Sequence, residues 1–339
     1  MPEVSVIVPN YNYGQYLSER MESILNQSFQ DFEVIILDDC STDDSRDVIE
    51  SYRSHPKVSH VVYNDINTGS PFKQWSKGIS MAKGRYIWIA EADDVADVNF
   101  LTHTVSVLNS HPEVSAAYTL SRLIDTHGNE IPNGIEKTVY APGKVPSDNG
   151  ETMVYDGKSF FATRLIAHNV IYNASMVLFR ADTYHGMDVR LYESMRYIGD
   201  WAFWSEMALH GDIAEVRIRL NSFRQHISST TKQSLTDHRE KLMKEEQQFG
   251  KFFLPIATDI LSEYDKPYRR CPSYREYLHR YGPAKHKKRR YIKHLISSAG
   301  RAFTGRKPPM PKLSYLLSHS QPIIKDIIDS SSSLQSQKQ

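Results

Sequence analysis

Short apolar runs alternate with helical patterns through the first 90 residues, and this alternation limits the possible folds most strongly. Four runs rich in β-branched residues, Val4–Val8, Val34–Leu37, Val58–Tyr63 and Tyr86–Ala90, are separated by segments with apolar residues at helical spacing. Strands that are apolar on both faces and alternate with helices are typical of a parallel sheet covered on both sides. The sequence therefore predicts an α/β protein with a mostly parallel central sheet.

Polar residues follow each of these four runs. Pro9–Asn12 comes after the first run, Asp38-Asp39 after the second, Asn67–Gly69 beyond the third, and Glu91–Asp94 after the fourth. Open parallel sheets bind their ligands in a crevice at the carboxyl ends of the strands. We therefore expect the four polar clusters to share one crevice.

The bulk composition excludes several classes of protein. The 339 residues carry a net charge of +1, so no strong positive field directs the chain to nucleic acid. Two cysteines, Cys40 and Cys271, are too few for a disulfide framework and fit a reducing compartment. The first residues show no secretory signal, and no apolar run is long enough to cross a bilayer. We therefore expect a cytoplasmic protein.

The regular alternation weakens after about residue 120. The segment Ser121–Val170 is rich in Gly, Pro and Asn, which indicates loops and insertions. A strand is predicted over Ala174–Arg180 and a helix over Asp200–His210. Beyond Lys232 the pattern is helical and more charged, and the Ser- and Gln-rich tail from Ser330 indicates disorder.

The cluster Glu91–Asp94 places three carboxylates within four residues, directly after an apolar strand. Carboxylates this close repel one another unless a cation lies among them. Oxygen ligands suit Mg²⁺ or Mn²⁺, which commonly bridge protein carboxylates to phosphates. A solvated acidic turn at the start of a helix is the alternative interpretation. The residues leave both interpretations open, and the position of the cluster at a strand end favours a ligand site.

The segment Asp38–Asp44 combines two kinds of chemistry. Ser41, Asp43 and Asp44 are suited to the start of a helix. That explanation does not cover Asp38-Asp39, where a carboxylate at a strand end could accept hydrogen bonds from a base or a ribose. Tyr11 is of interest only because it would face the same crevice, since a tyrosine in a loop more often packs than stacks on a ligand.

Five motifs, in this order along residues 1 to 230, resemble those of the family 2 glycosyltransferases, inverting enzymes of the GT-A fold. The resemblance implies a Rossmann-like nucleotide-binding half, a nucleotide-diphosphate sugar donor and a Mg²⁺ or Mn²⁺ cofactor. It also implies transfer to a glycan or lipid-linked glycan acceptor in the synthesis of cell-surface polysaccharide or lipopolysaccharide. The motifs are Val4–Asn12, Asp38–Asp43, Tyr86–Asp94, Gly199–Trp204 and Phe223–His226.

The same resemblance implies roles for single residues. Asp200 would be the catalytic base, and Trp201 would contact the acceptor. Asp93, Asp94 and His226 would bind the metal. Tyr11 would stack on the nucleotide base, and Asp39 would accept a hydrogen bond from it. The full set of predicted donor-binding residues is Pro9, Tyr11, Asn12, Asp39, Asn67, Gly69, Lys77, Glu91 and Asp93.

Three positions depart from the family pattern. The first acid of the D-x-D motif is Glu91, the usual Glu-Asp pair is Gly199-Asp200, and the common Arg-Asn pair after the donor loop is Trp75-Ser76. A phosphate contact would then come from Lys73 or Lys77. Apart from the resemblance, Asp200 could simply cap a helix whose tryptophans are core, and its helix N-terminus would favour the ionised, less basic form. His226 could likewise be a surface residue in a polar loop.

The predicted organisation has one main domain and two appendages. Residues 1–232 form the glycosyltransferase domain, with a nucleotide-sugar-binding half (1–120) and an acceptor-binding half (121–232). A helical extension (233–325) and a disordered tail (326–339) follow. A basic run in the extension indicates either a solvated helix face or a patch for anionic lipid, which would place the protein peripherally on the inner face of the cell membrane. Its residues are Lys285, Lys287, Lys288, Arg289 and Arg290.

Three other functions remain to be compared. A binding protein that keeps the fold but has little catalytic activity is favoured only by Glu91. A nucleotidyltransferase typically needs a basic phosphate loop near the first strand, and Pro9–Gly14 has no basic residue. A dinucleotide oxidoreductase is disfavoured because no G-x-G-x-x-G sequence follows the first strand.

Overall fold

Four parallel strands form the first half of the central sheet, in the order β3-β2-β1-β4. Three of them, β1, β2 and β4, are buried along their whole length, as their mostly apolar sequences predict. The computed structural model describes residues 1–131, 146–166, 168–226 and 239–263. The strands are β1 (Val4–Asn10), β2 (Phe32–Asp38), β3 (Val58–Tyr63) and β4 (Tyr86–Ile89).

The second half of the sheet is mixed. Beyond β4 the order continues β8-β6-β9-β5, and β7 pairs with β9. Within this half, β6 and β9 pair in parallel, whereas the pairs β4 with β8, β8 with β6, β9 with β5 and β9 with β7 are antiparallel. The α/β class is confirmed, and the parallel pairing that we predicted holds for β1 to β4 and for the pair β6 and β9. These strands are β5 (Val95–Ala96), β6 (Val114–Ile124), β7 (Thr152–Tyr155), β8 (Val177–Arg180) and β9 (Asp212–Arg224).

Helices cover both faces of the sheet and enclose two apolar clusters. Val6 and Val8 of β1 pack in one cluster with Leu17, while the intervening Ile7 packs in the other with Trp75. This alternation along one strand is what a sheet buried on both faces requires. The helices are α1 (Gly14–Leu25), α2 (Ser45–Tyr52), α3 (Pro71–Met81), α4 (Phe100–Ser110), α5 (Gly157–Phe160), α6 (Ala181–His185), α7 (Arg190–Glu193), α8 (Gly199–His210) and α9 (Arg239–Glu263).

Two regions contain more structure than the sequence predicts. The segment Ser121–Val170, which we expected to be loops, holds the end of β6, β7, α5 and a π-helical turn over Phe161–Leu165. Helix α9, which we expected in an extension, contributes Phe249 and Phe253 to the core, and the Phe249 ring lies 4.5 Å from that of Trp201. Aromatic residues at helical spacing in α9 explain this packing, because they need an apolar partner.

The chain divides into two compact units, Met1–Gly282 and Pro283–Gln339. The described residues all belong to the first unit. The predicted lipid-binding run Lys285–Arg290 and the predicted disordered tail 326–339 lie outside the described residues. Among the helices that the structure describes, none is both long and apolar enough to span a membrane.

Candidate active site

An open cavity of about 240 Å³ lies at the carboxyl ends of β1, β2 and β4. All four predicted polar clusters contribute to it. We call the lining residues at and after the ends of these strands and β3 the strand wall, and the lining residues between 172 and 200 the helix wall. The strand wall includes Pro9, Asn10, Tyr11, Tyr13, Asp39, Asn67, Gly69, Glu91 and Asp93, and the helix wall includes Tyr172, Asn173, Ala174, Arg196, Tyr197 and Asp200.

Asp39 organises the loop after β3. One of its carboxylate oxygens accepts hydrogen bonds from the side chains of Asn64 (2.7 Å) and Gln74 (2.9 Å). The backbone N–H of Thr68 donates to both oxygens, and its hydroxyl donates to the second at 2.8 Å. Asp39 therefore fixes the strand wall as well as lining the cavity.

Asn67 and Gly69 give the same loop its shape. The Asn67 amide donates to the backbone carbonyl of Asp39 at 3.0 Å, and the backbone N–H of Gly69 donates to the Asn67 side-chain oxygen at 2.7 Å. Gly69 has a φ of +69°, in the left-handed region that glycine adopts without a Cβ penalty. The loop thus presents backbone to the cavity at Gly69.

The three acids after β4 point in different directions. Glu91 accepts a hydrogen bond from the indole N–H of Trp75 at 2.9 Å, so two departures from the family pattern contact each other. Asp93 lies 2.8 Å from Nε2 of His226. Asp94 turns away from the cavity and accepts from the Asn173 amide (2.8 Å) and the backbone N–H of Arg224 (3.0 Å).

The pKa values of this cluster reflect burial and mutual repulsion. Burial, then the charge of Asp93, raises the pKa of Glu91 to about 8. The same two causes raise the pKa of Asp94 to about 6. Glu91 is therefore mostly protonated at neutral pH and adds little to the negative charge of the cavity.

Two buried arginines supply positive charge beside the acids. The Arg20 guanidinium is fully buried, lies 4.8 Å from the centre of the Trp88 ring, and makes no hydrogen bond to the described protein. The Arg224 guanidinium donates to the backbone carbonyl of Asp93 at 2.8 Å. The repulsion from which the sequence predicts a metal is thus partly offset by the protein itself.

The donor set still fits a divalent ion that is shared with a ligand. In the described ranges, no group of three or more His, Cys, Asp or Glu side chains is arranged to hold a metal. Asp93 and His226 nevertheless meet beside the cavity, and Mg²⁺ in such sites commonly uses one or two protein carboxylates together with substrate phosphates. Of the three predicted ligands, Asp94 is absent from the cavity lining, and its two oxygens accept hydrogen bonds from Asn173 and from the backbone of Arg224.

Asp200 lies on the helix wall at the start of α8. One of its carboxylate oxygens accepts a hydrogen bond from the Asn169 amide at 2.8 Å. Burial raises the pKa of Asp200 to about 6 and outweighs the hydrogen bonds from the Trp201 backbone and from Asn169, which lower it. The sequence predicts the lowering effect of the helix N-terminus, but burial decides the direction.

Five predicted site residues do not line the cavity, and one of them is His226, which is buried beside Asp93. Asn12 has a φ of +58°, and its side chain accepts from the backbone N–H of Thr42 at 2.8 Å. Lys77 donates to Asn64 behind Asp39, and Asp94 faces the core. Trp201 is buried between α8 and α9, with its indole N–H on the Leu165 carbonyl, so it cannot contact an acceptor in this cavity.

Several residues of the site are not predicted by the sequence. Arg196 and Tyr197 line the cavity, and Asn169 holds Asp200, yet no local motif marks them. Arg20 had a usable signal. It occurs on the apolar face of α1, between Leu17 and Ile24 at helical spacing, where a charged residue must be buried.

Comparison with known proteins supports the family that the motifs indicate. The model of the family described as Glycosyl transferase family 2 matches residues 5–170. Glycosyltransferase GlyG of Streptococcus pneumoniae is 39% identical over 98 residues, which cover 29% of this chain and 32% of GlyG. The poly(ribitol-phosphate) beta-N-acetylglucosaminyltransferase TarS of Staphylococcus aureus is 28% identical over 176 residues, which cover 51% of this chain and 30% of TarS. The chain thus spans about a third of the length of these relatives.

Solved structures show the predicted GT-A fold. The structure of residues 1–349 of S. aureus TarS in complex with UDP-GlcNAc has a TM-score of 0.54 at 18% identity, and covers 84% of this chain and 82% of that one. The mannosyltransferase PcManGT of Pyrobaculum calidifontis, in complex with GDP-Man and Mn²⁺, has a TM-score of 0.50 at 15% identity and covers 90% and 88%. The family match over residues 5–170, together with these relatives, supports a bacterial family 2 glycosyltransferase.

Proposed function

We propose that this chain transfers a sugar from a nucleoside-diphosphate sugar to an acceptor hydroxyl, with inversion, in the synthesis of a cell-surface polysaccharide. The observation that carries the proposal is that Asp39 and Asp93 on the strand wall share one cavity with Asp200 on the helix wall. The TarS complex contains UDP-GlcNAc and the PcManGT complex contains GDP-Man, which supports a nucleotide-sugar donor here.

The strand wall would bind the nucleotide. Tyr11 is 46% exposed at the cavity and offers its ring to a base, and the backbone at Pro9 lies beside it. Asp39 would accept a hydrogen bond from the base while it holds the loop. Asn67 would act through the shape of that loop, where Gly69 leaves space for a close approach of the ligand.

A divalent cation would be held by Asp93 and His226. When bound, Mg²⁺ or Mn²⁺ supplies positive charge that stabilises a leaving diphosphate. PcManGT was solved with Mn²⁺, which supports a divalent ion here without choosing between the two. Asp94 would contribute indirectly, since its hydrogen bonds fix Asn173 and the end of β9 beneath the pair.

Asp200 would act as the base. Its carboxylate takes the proton of the acceptor hydroxyl while the hydroxyl oxygen bonds to the anomeric carbon and the bond to the nucleoside diphosphate breaks. A single displacement of this kind inverts the configuration at that carbon. A base with a pKa of about 6 is ionised at neutral pH and still accepts a proton effectively.

The acceptor would approach along the helix wall. Tyr172 and Tyr197 line it beside Asp200, and aromatic rings offer apolar surface with a polar edge. A lipid-linked acceptor at the inner face of the cell membrane, bound with help from the Lys285–Arg290 run, stays a prediction. Binding to vesicles that contain anionic lipid, compared with a variant in which these basic residues are neutralised, would test it.

A screen of nucleotide sugars tests the proposal directly. We expect release of a nucleoside diphosphate that requires added Mn²⁺ or Mg²⁺, increases with a suitable acceptor and stops with a chelator. Binding of the nucleotide sugar without release would favour the binding protein with little activity. Release of pyrophosphate from a nucleoside triphosphate and a sugar phosphate would favour a nucleotidyltransferase.

A further inference from the structure

Helix α9 places one carboxylate against the segment just before α8, residues 195–198, which we call the approach to Asp200. Glu245 accepts hydrogen bonds from three consecutive backbone N–H groups, those of Arg196 (2.8 Å), Tyr197 (2.9 Å) and Ile198 (3.2 Å). Hydrogen bonds to a charged acceptor are stronger than neutral ones. A residue nearly fifty positions further along the chain thus fixes the path of three residues at the edge of the cavity.

These three residues lead directly into α8. The helix begins at Gly199 without a hydrogen bond from its own cap side chain, and Asp200 is its second residue. The first N–H groups of a helix have no partner within the helix, and neither do those of the residues just before it. Glu245 satisfies the N–H groups of the three residues just before the helix, which lead into Gly199 and Asp200.

The same approach is tied to the strand wall. The Ser70 hydroxyl donates to the Met195 carbonyl at 3.2 Å, and the Arg196 guanidinium donates to the Gly69 carbonyl at 3.2 Å. The approach is therefore held on one side by Gly69 and Ser70, in the loop after β3, and on the other side by α9. Loss of the Glu245 contact would leave these three N–H groups without that carboxylate, while the two hydrogen bonds on the cavity side remain.

We propose that Glu245 is a positioning residue for Asp200, holding the approach to α8 so that the base faces the reacting groups across the cavity. The proposal rests on the proposed function, because it needs Asp200 to be the base. It makes α9 part of the catalytic unit rather than an appendage to it.

The charge of Glu245 also acts on Asp200. After burial, Glu245 is among the causes that raise the pKa of Asp200. Removing this charge should therefore move the acid limb of the turnover profile to lower pH, an effect that a purely structural contact would not produce. The other charged or titratable groups that face the cavity around Asp200 are Arg196, Tyr197 and Tyr172 on the helix wall, and Tyr11, Tyr13, Asp39, Glu91 and Asp93 on the strand wall.

The test compares Glu245→Ala and Glu245→Gln with Glu240→Gln, a matched control. Glu240 occurs on the same helix, is exposed and pairs only locally with Lys244. For Glu245→Ala we expect kcat to fall about 100-fold, the loss that a misplacement of about 1 Å can cause, while the affinity for nucleoside diphosphate stays unchanged. Glu245→Gln keeps one acceptor oxygen and should retain more turnover, with its acid limb shifted down.

Hydrogen exchange of the peptide that contains residues 196–198 provides a second readout. We expect faster exchange in Glu245→Ala and no change in Glu240→Gln. Unchanged kcat in Glu245→Ala, or a loss of nucleotide affinity equal to the loss of kcat, would overturn the positioning role. A wild-type chain that transfers no sugar from any donor would instead overturn the proposed function, and the positioning role with it.

Discussion

The two walls of the cavity hold their carboxylates in different ways. On the strand wall, Asp39 is bound by donors from three side chains and a backbone, and Asp93 is paired with His226. On the helix wall, Asp200 accepts from one side chain, Asn169, and from the Trp201 backbone, and its pKa is raised to about 6. The first arrangement suits side chains that stay fixed in place, and the second suits a group that exchanges a proton.

The difference also shows that neighbours in sequence need not share a role. Asp93 faces the cavity, whereas Asp94 turns into the core and holds the end of β9. Asp200 is functional on this account, whereas Trp201 beside it is buried packing. The direction of each side chain, set by the elements around it, separates ligand-binding acids from structural ones.

Asp200→Asn should have the largest effect. The amide cannot take the acceptor proton, and loss of a general base commonly costs about 10²–10⁴-fold in rate. Nucleotide affinity should stay unchanged, because the strand wall is intact. Steady-state kinetics measures turnover, and titration measures nucleotide affinity. The control is Asp182→Asn, because Asp182 is an exposed acid in α6. Near-normal turnover would remove Asp200 from the role of base.

Asp93→Asn should affect the other wall in a different way. We expect the Mn²⁺ concentration for half-maximal turnover to rise at least about 10-fold, because substitutions around metal sites commonly weaken metal binding by that factor. Nucleotide binding should also become weaker. Turnover against metal concentration, beside His226→Gln, measures this. If Asp93→Asn lowers kcat at every metal concentration and leaves the metal dependence unchanged, the assignment of Asp93 to the metal is wrong.

The pH dependence of kcat should report the helix wall. Asp200 is an acid whose pKa is raised, so it is protonated and inactive as a base below about pH 6 and ionised above it. Turnover should therefore rise through this pH and fall about tenfold per unit well below it. Measurement of kcat against pH, at saturating donor and acceptor, checks this rise of turnover near pH 6. A profile that stays flat down to pH 5, one unit below that pKa, would contradict the assignment.

Glu91 should give the smallest effect. In metal-free protein at neutral pH its pKa of about 8 keeps it mostly protonated, so Glu91→Gln keeps the acceptor for Trp75 and should change the unfolding free energy by less than about 0.5 kcal/mol. Glu91→Ala leaves the buried indole N–H without a partner and should cost about 1–3 kcal/mol. Denaturant unfolding compares the two variants, and equal losses would contradict a protonated Glu91 whose main contact is the hydrogen bond from Trp75.

The sequence predicts the strand wall far better than the helix wall. Apolar strands and the polar residues directly after them occupy short stretches, so the positions of Asp39 and Asp93 follow from the rule for strand ends. The helix wall depends on contacts between distant residues, such as Asn169 with Asp200 and Glu245 with Ile198. No local pattern encodes these contacts, which is why Arg196 and Tyr197 were missed and Trp201 was misplaced.

The most direct test of the account is a crystal structure of Asp200→Asn with Mn²⁺ and the nucleotide sugar identified by the screen. We expect the diphosphate to lie beside Asp93 and His226, with the anomeric carbon turned toward residue 200 across the cavity. A nucleotide bound outside this cavity, or a sugar whose reacting carbon faces away from residue 200, would contradict it.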